Sequence, residues 1–168
     1  VTAMAVDGAN RKWLGTKNGG VYLVSESGDR EILHFTAENS PLLSNTITAI
    51  ATNPKTGEVF FGTAEGLISY QGDAPTGEDD FSGVYVYPNP VRETYQGPIV
   101  ITGLMKNSDV RITDISGNLV YQTKSLGKQA VWDGKTLNGK RAATGVYLIF
   151  CADQAGEKTH IAKLLFIR

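Results

Sequence analysis

The sequence has few of the residues that support disulfide, metal or membrane chemistry. Its 168 residues include a single cysteine, Cys151, which excludes an intramolecular disulfide and a cysteine-based zinc site. No stretch approaches 18 consecutive apolar residues, the length that a membrane-spanning helix needs. Sixteen basic residues stand against 17 acidic ones, and no basic run is longer than two residues. Because a nucleic-acid-binding surface needs clustered positive charge, we predict no nucleic-acid partner.

Motifs that carry catalysis or bind nucleotides are also absent. The sequence contains no G-x-S-x-G elbow, no G-x-G-x-x-G and no P-loop. His34 and His160 are far apart and are interpreted as structural histidines, while Asp114 and Asp133 stand at turns, where a carboxylate caps main-chain N–H groups. Cys151 ends an apolar strand and is expected to be a buried, inert thiol. We therefore predict a binding protein rather than an enzyme, without a cofactor or a metal site.

Glycine, by contrast, is plentiful and marks turns. The stretch from Gln129 to Cys151 contains two tight-turn dipeptides, Asp133-Gly134 and Asn138-Gly139. A short apolar run ends at Trp132 before the first turn, and a longer run rich in β-branched and aromatic residues follows the second. With 19 glycines distributed over such reversals, the sequence predicts an all-β protein.

An internal repeat occupies the first part of the chain. Short strands are predicted at residues 1–5, 12–16 and 21–24, and the same order returns at 47–51, 59–63 and 67–70. Val1 aligns with Ile47, and Gly15-Thr16 aligns with Gly62-Thr63 after one insertion. A period of about 46 residues with several strands in each unit is typical of propeller blades. Trp13 and Phe60 hold equivalent positions and are predicted to be packing residues.

These repeats resemble the two-component-regulator type of β-propeller repeat. The resemblance covers residues 1–72, and residues 35–45 resemble the serine-rich segment that leads into the next blade. It implies a partial propeller of about two blades, whereas closed propellers have about four to eight. We expect the other blades to lie upstream, or the open edges to pair with another copy of the chain.

A linker and a second domain are predicted after the repeats. Residues 73–82 lose the strand pattern and gather Gly, Pro, Asp and Glu, which is typical of a solvated linker, and the acidic residues 78–80 are interpreted as a spacer. The domain at 83–168 has predicted strands at 84–87, 99–102, 110–115, 119–123, 130–132, 146–151 and 160–167. Seven short strands predict an immunoglobulin-like β-sandwich, with Trp132 in its core.

Five motifs in this second domain occur in a recognisable order. They are Tyr87-Pro88-Asn89-Pro90, Asp114-Ile115-Ser116-Gly117, Trp132-Asp133-Gly134, Gly139 to Tyr147, and Lys163 to Ile167. This order resembles the C-terminal sorting domain of the Por (type IX) secretion system of Bacteroidetes, and its middle part is similar to the immunoglobulin-like domain of the flagellar hook-capping protein. The resemblance implies a sorting motif made of Pro88, Asn89, Pro90, Asp114, Gly117, Trp132, Asp133, Gly134, Gly145, Tyr147 and Lys163.

The final strand has two interpretations: it is simply the last strand of the sandwich, or, as the family resemblance implies, it is a strand with a charged tip that an export machine can grip. We predict that Ile161, Leu164 and Phe166 pack inward, while Lys163 and Arg168 stay in solvent. The prolines of the first motif are expected to fix a rigid extended segment before the sandwich, since each proline restricts its own φ and the residue before it.

A propeller ahead of such a domain resembles PorZ-like surface proteins. That resemblance implies a non-enzymatic protein of the cell surface or the extracellular space, exported across the outer membrane. Its expected partners are the outer-membrane secretion or attachment machinery and a protein or surface polysaccharide bound by the propeller. The sequence begins without methionine, so we expect a signal peptide upstream.

Two other functions stay open at this stage. One is the extracytoplasmic ligand-sensing domain of a two-component regulator, and the other is an accessory region of a secreted enzyme. The sequence does not determine the ligand, the number of blades, the oligomeric state, or whether the sorting domain is cleaved.

Overall fold

Strands, turns and loops make up the whole chain in the computed structural model, which describes residues 1–168. In chain order the strands are β1 (Ala3–Val6), β2 (Lys12–Gly15), β3 (Val21–Val24), β4 (Glu31–Phe35), β5 (Ile47–Thr52), β6 (Glu58–Thr63), β7 (Gly66–Gln71), β8 (Tyr85–Tyr87), β9 (Ile99–Thr102), β10 (Asp109–Asp114), β11 (Leu119–Lys124), β12 (Gln129–Trp132), β13 (Gly145–Ala152) and β14 (Thr159–Phe166). The chain divides into two compact units, Val1–Thr76 and Gly77–Arg168. The structure contains no helix with the length and apolarity that a membrane span requires. The predicted all-β class is confirmed.

Two antiparallel sheets form the first unit, and each begins with the same three-strand meander. Their strand orders are β1-β2-β3-β4 and β5-β6-β7. The turn after the second strand is built alike in both sheets: the Thr16 hydroxyl donates to the Gly20 carbonyl at 3.0 Å, and the Thr63 hydroxyl donates to the Gly66 carbonyl at 2.9 Å. The repeat found in the sequence therefore corresponds to these two sheets, which we call the first and the second blade.

Strand β4 is an element that the sequence analysis did not predict. It runs from Glu31 to Phe35 and pairs with β3, so that His34 lies opposite Tyr22. Glu31 is exposed and the other four residues are half-buried, so the strand lacks the alternation of apolar and polar residues from which strands are recognised. The first blade therefore has four strands, and the second has three.

The core of the first unit lies between its two sheets. It is formed by Trp13, Val21, Leu23, Leu42, Ile47, Val59 and Phe61. The Trp13 ring is 1% exposed, and its centroid lies 5.5 Å from that of Phe61 and 5.8 Å from that of Tyr70. Phe60, at the equivalent position in the second blade, is only half-buried. Equivalent positions in the repeat therefore have different environments.

A buried ion pair joins the first turn of this unit to its last residues. The Arg11 side chain is 9% exposed and the Asp7 side chain is 4% exposed, with 2.7 Å between Arg11 Nε and Asp7 Oδ2. Arg11 Nη2 also lies 2.5 Å from Asp73 Oδ1. Burial alone would lower the pKa of Arg11, but the hydrogen bonds and charges of Asp73 and Asp7 raise it above its ordinary value. The guanidinium therefore stays charged inside the fold.

The predicted linker at 73–82 is not a solvated spacer along its length. Ala74 is 2% exposed, and its carbonyl accepts a hydrogen bond from Gly8 N within the first unit. Phe81 is 5% exposed and belongs to the core of the second unit, while Glu78 N donates to the Leu104 carbonyl at 3.0 Å. The acidic residues 78–80 are exposed as expected. The linker prediction was wrong at Phe81 because one aromatic side chain among polar neighbours suffices to anchor a loop in a core.

Seven strands in two sheets form the second unit. The larger sheet has the order β11-β10-β13-β14 and the smaller one the order β12-β9-β8. The inward side chains of both sheets make one core, with Ile99, Ile101 and Trp132 from the smaller sheet and Val110, Ile112, Ile149 and Phe166 from the larger one. This arrangement confirms the predicted seven-stranded β-sandwich.

Candidate functional site

The Pro88-Asn89-Pro90 segment lies along the outer edge of the last strand, β14. Asn89 Nδ2 donates to the Lys163 carbonyl at 2.9 Å, and Asn89 Oδ1 accepts from Leu165 N at 3.1 Å. The peptide bonds before Pro88 and Pro90 are both cis. Because proline has no N–H to donate, the Asn89 amide takes the place of a main-chain pairing partner. The segment thus pairs with β14 through a side chain.

Val91 continues this pairing toward the end of the chain. Its N–H donates to the Leu165 carbonyl at 2.8 Å, and its carbonyl accepts from Ile167 N at 2.8 Å. The Val91 side chain is fully buried. Residues 89–91, which we call the clasp, therefore cover the outer edge of β14 from Lys163 to Ile167.

We expect Asn89→Ala to loosen this edge without unfolding the sandwich. The variant loses two hydrogen bonds, each with a net contribution of about 0.5–1.5 kcal/mol. Hydrogen exchange at the Leu165 amide, measured by NMR, should accelerate by about tenfold. Exchange at Ile149, in the centre of the same sheet, should change less than twofold.

The matched control for Asn89→Ala is Asn138→Ala, which removes the same amide from an exposed turn. It should leave exchange at Leu165 at the wild-type rate. An unchanged exchange rate at Leu165 in Asn89→Ala would mean that the clasp does not hold the strand.

A cluster of aromatic rings supports the inner face of β14. Trp132 is fully buried, and its ring centroid lies 5.9 Å from that of Phe166 and 5.7 Å from that of Tyr147. Trp132 Nε1 donates to the Lys135 carbonyl at 2.7 Å, and the Tyr147 hydroxyl donates to the Ala143 carbonyl at 2.8 Å. Both polar atoms are thus satisfied although the rings are buried. Burial also raises the pKa of Tyr147, so the donating phenol form is favoured.

Gly134 and Arg141 complete the surroundings of Phe166. Gly134 has a φ of +75°, and a Cβ atom at this position would lie 3.3 Å from the Phe166 ring. The Arg141 guanidinium carbon lies 5.1 Å from the centroid of that ring, and Arg141 Nη2 donates to the Tyr95 carbonyl at 2.6 Å. The left-handed backbone conformation favours glycine here, and a Cβ atom would also have to displace the Arg141 or Phe166 side chain slightly.

The remaining turn residues do not join this cluster. Asp114 Oδ1 accepts from Ser116 N at 2.8 Å and from Asn118 N at 3.0 Å in the turn between β10 and β11. The hydrogen bond from the Asn118 side chain is the largest cause that lowers the pKa of Asp114. Gly117, in the same turn, has a φ of +87°. Asp133 Oδ1 accepts from Lys135 N at 2.9 Å, so both aspartates cap turns.

The outward face of β14 differs from the prediction at one residue. Leu164 and Phe166 are fully buried and Lys163 is exposed, but Ile161 is 53% exposed. Side chains alternate along a strand, so residues 161, 163 and 165 share the face opposite to that of 164 and 166. Ile161 lies across from Phe150, and Leu165 lies across from Val146. Lys163 is therefore flanked by exposed apolar side chains.

Gly145 and Pro90 occupy less specialised positions. Gly145 starts β13, is half-buried and has open space where a Cβ atom would lie. Pro90 is half-buried and links Asn89 to Val91.

The sequence analysis missed Val91 and the contact between Arg141 and Phe166, since neither follows from local spacing. Of the predicted motif residues, Asn89, Trp132, Gly134, Tyr147 and Lys163 are the ones that the structure brings to or onto β14.

The only thiol of the chain lies inside the sandwich. Cys151 is 1% exposed, and burial raises its pKa to about 12. A thiol with such a pKa is not ionised near neutral pH and is a poor nucleophile. No group of three or more His, Cys, Asp or Glu side chains is arranged to hold a metal ion.

Comparison with known families decides what this unit is. Residues 85–166 match the family described as the secretion system C-terminal sorting domain. Residues 85–166 form a sorting domain of this family. The match runs from the first residue of β8 to the last residue of β14, so it includes the clasp and the strand that the clasp covers.

A solved structure extends the likeness from the sorting domain to the blades. PorZ of Porphyromonas gingivalis, described as an essential bacterial surface component of the type-IX secretion system, aligns at 40% identity with a TM-score of 0.69. The alignment covers 98% of this chain and 22% of that chain. The chain therefore spans about a fifth of the length of that relative.

Other likenesses are weak. The extracellular domain of a hybrid two component system from B. thetaiotaomicron aligns at 12% identity, with a TM-score of 0.38, over 100% of this chain and 38% of that chain. A biofilm associated protein aligns at 14% identity, with a TM-score of 0.37, over 94% of this chain and 24% of that chain. No match was found among curated proteins. Likenesses of this strength carry no information about function.

The sorting-domain family and the PorZ likeness together indicate a surface protein related to the type IX secretion system. They confirm the expected localisation at the cell surface after export across the outer membrane. Both relatives are non-enzymatic in kind, one being a sorting domain and the other a component of a secretion system.

Proposed function

We propose that the sorting domain directs export of the chain by presenting β14 to the outer-membrane machinery of the type IX system, which then releases the protein or attaches it to the surface. The observation that carries this proposal is the convergence of distant motif residues on one strand. Asn89 bonds the main chain of β14, while Trp132, Gly134 and Tyr147 surround its Phe166. These residues together hold the terminal strand in one position and register.

The outward face of β14 supplies the features that a partner would recognise. Lys163 is exposed between Ile161 and Leu165, which are 53% and 41% exposed. A cation flanked by apolar side chains fits a partner surface that combines a carboxylate with an apolar patch, since such a surface would pair the charge and bury the apolar area. The clasp leaves this face open because it covers only the edge of the strand.

The two blades of the first unit are proposed to bind a partner or ligand outside the cell. The core, which includes the aromatic cluster around Trp13, lies between the two sheets and leaves their outer faces exposed to solvent. Leu67 on the second blade is 68% exposed. We propose that this binding function, without catalysis, is what the sorting domain delivers to the surface.

Deletion of residues 84–168 tests the sorting role directly. The truncated protein is expected to accumulate in the periplasm, while the intact protein reaches the cell surface. Protease accessibility on whole cells measures the difference. Normal surface display of the truncated protein would refute the role of the sandwich in export.

The first unit should survive this deletion, because it has its own core and sheets. Circular dichroism of the purified truncated protein, with a β-sheet spectrum and a cooperative melt, is the control for folding. A folded protein that stays in the periplasm then reports a loss of sorting rather than a loss of structure.

A further inference from the structure

Five exposed aliphatic side chains lie at one end of the sandwich in the second unit. Ile115, in the turn between β10 and β11, is 74% exposed, and Leu137, in the loop between β12 and β13, is 62% exposed. Leu119, Val146 and Leu165 are between 41% and 45% exposed. We call these five residues the ridge. Single exposed aliphatic residues are ordinary, whereas a group of them marks an interaction surface.

Three members of the ridge lie side by side on neighbouring strands. Val146 on β13 pairs with Leu165 on β14. The pairing of β10 with β13 ends at Asp114 and Tyr147, so Ile115 follows at the level of Val146. The turn that carries Ile115 therefore stands at the end of the sheet, beside the other two residues.

The other two members extend the ridge past β11, the opposite edge of the sheet. Leu119 is the first residue of β11 and lies at the same end. Leu137 N donates to the Val120 carbonyl at 2.9 Å, which holds the loop between β12 and β13 against β11. The ridge thus crosses this loop and all four strands, a width of roughly 20 Å at the usual strand spacing.

A cation flanks the ridge on each side. Lys140 is exposed, and its carbonyl accepts from Thr136 N at 2.8 Å, which closes the turn that carries Leu137. Arg92 is exposed and directly follows the clasp along the outer edge of β14. Neither side chain forms an ion pair within the chain. Both are therefore available to an anionic surface that contacts the ridge.

Charge is distributed unevenly along the second unit. The half that carries the ridge has six basic side chains against three acidic ones, namely Arg92, Lys135, Lys140, Arg141, Lys163 and Arg168 against Glu93, Asp114 and Asp133. The half at the opposite end has five against six, namely Lys106, Arg111, Lys124, Lys128 and Lys158 against Glu78, Asp79, Asp80, Asp109, Asp153 and Glu157. An anionic surface therefore attracts the end with the ridge and not the opposite end.

We propose that the ridge inserts into the headgroup region of an anionic lipid leaflet and holds the sandwich against the membrane. The chain is a cell-surface protein, so an outer membrane lies beside it. Apolar side chains on protruding turns suit a lipid layer, which deforms around them, whereas a protein partner needs pockets of matching shape. Lys140 and Arg92 add attraction to the lipid phosphates. The proposal is independent of the sorting role.

Vesicle sedimentation with the purified 168-residue chain tests the proposal. Vesicles with equal parts of phosphatidylglycerol and phosphatidylcholine supply the anionic surface, and vesicles of phosphatidylcholine alone supply a neutral one. Partitioning onto the anionic vesicles should be at least tenfold stronger and should weaken as salt is added. A folded chain that binds both kinds equally would overturn the proposal. Binding to neither kind would overturn it as well and would assign the ridge to a protein partner.

Substitutions of exposed residues separate the ridge from non-specific adsorption. Ile115→Ser with Leu137→Ser removes the two most exposed members and should weaken partitioning onto anionic vesicles by at least tenfold. The matched control is Leu126→Ser with Val131→Ser, which removes two aliphatic side chains of the same unit that are 40% and 41% exposed. It should change partitioning less than twofold. Amide exchange at Ile149 confirms that both variants are folded. Equal effects of the two pairs would overturn the proposal.

A dye on the ridge distinguishes insertion from attraction to the surface alone. Cys151 is 1% exposed, so the thiol introduced by Ile115→Cys is the one that a dye reaches in the folded chain. The emission of an NBD label there should shift to the blue on anionic vesicles, and a lipid with a doxyl group near its headgroup should quench it. The same label on Leu126→Cys should show neither effect. Unshifted emission from position 115 in a chain that sediments with the vesicles would overturn the proposal.

Discussion

Trp132→Ala is expected to lower the free energy of unfolding of the second unit by about 3–5 kcal/mol. The ring is fully buried and packs against Tyr121, Tyr147 and Phe166, with centroid distances between 5.7 and 6.2 Å. Its loss leaves a cavity and also leaves the Lys135 carbonyl without the indole donor. Domains of this size have about 5–15 kcal/mol of stability in total, so a large share would be lost.

Native-state amide exchange measures this loss for each unit separately. Exchange at Ile149 reports the second unit, and exchange at Phe61 reports the first. The variant should accelerate exchange at Ile149 and leave Phe61 unchanged. Leu137→Ala is the control, since Leu137 is 62% exposed and its removal should cost less than about 0.5 kcal/mol. A cost below about 1 kcal/mol for Trp132→Ala would contradict a core role.

Arg11→Met is expected to lower the free energy of unfolding of the first unit by about 3–5 kcal/mol. The substitution keeps most of the apolar volume but leaves the Asp7 carboxylate buried without its charged partner. Asp73 also loses its contact with the guanidinium, although its side chain is 56% exposed and can be solvated. Most of the loss in unfolding free energy therefore comes from the buried, unpaired Asp7 carboxylate.

An exposed ion pair in the second unit provides the comparison for Arg11→Met. The Arg111 and Asp109 side chains are 58% and 28% exposed, so Arg111→Met should cost less than about 1 kcal/mol. The double variant Asp7→Asn with Arg11→Met should recover part of the loss, because the uncompensated charge is gone. Urea dependence of amide exchange in each variant, read at Phe61 for the first unit and at Ile149 for the second, checks these values. An equal loss of unfolding free energy in Arg11→Met and Arg111→Met would contradict the prediction that burial of the ion pair determines the loss.

Local sequence patterns predicted the elements that have a clear signature. The repeated Gly-Thr pairs at 15–16 and 62–63 have corresponding hydrogen-bonded turns in the structure. The seven strands of the second unit were predicted because each combines β-branched or aromatic residues with flanking turn residues. Strand β4 was missed because its side chains are all partly exposed and show no alternation.

The contacts that build the candidate site lie beyond local patterns. Asn89 bonds residues 163 and 165, which are 74 and 76 positions away, and no periodicity encodes such a pairing. The motif residues could be named from the family resemblance, but their convergence on β14 required the fold. The expectation for Ile161 was wrong because strand alternation places it with Lys163, on the face opposite to Leu164 and Phe166.

Surface delivery of a soluble reporter fused to residues 77–168 tests the central claim most directly. The fusion is expressed in a host with a type IX secretion system and in the same host with the system removed. We predict a reporter on the cell surface or in the medium only when the system is present. A folded fusion that stays in the periplasm of the complete host, or one that reaches the surface without the system, would contradict the sorting role.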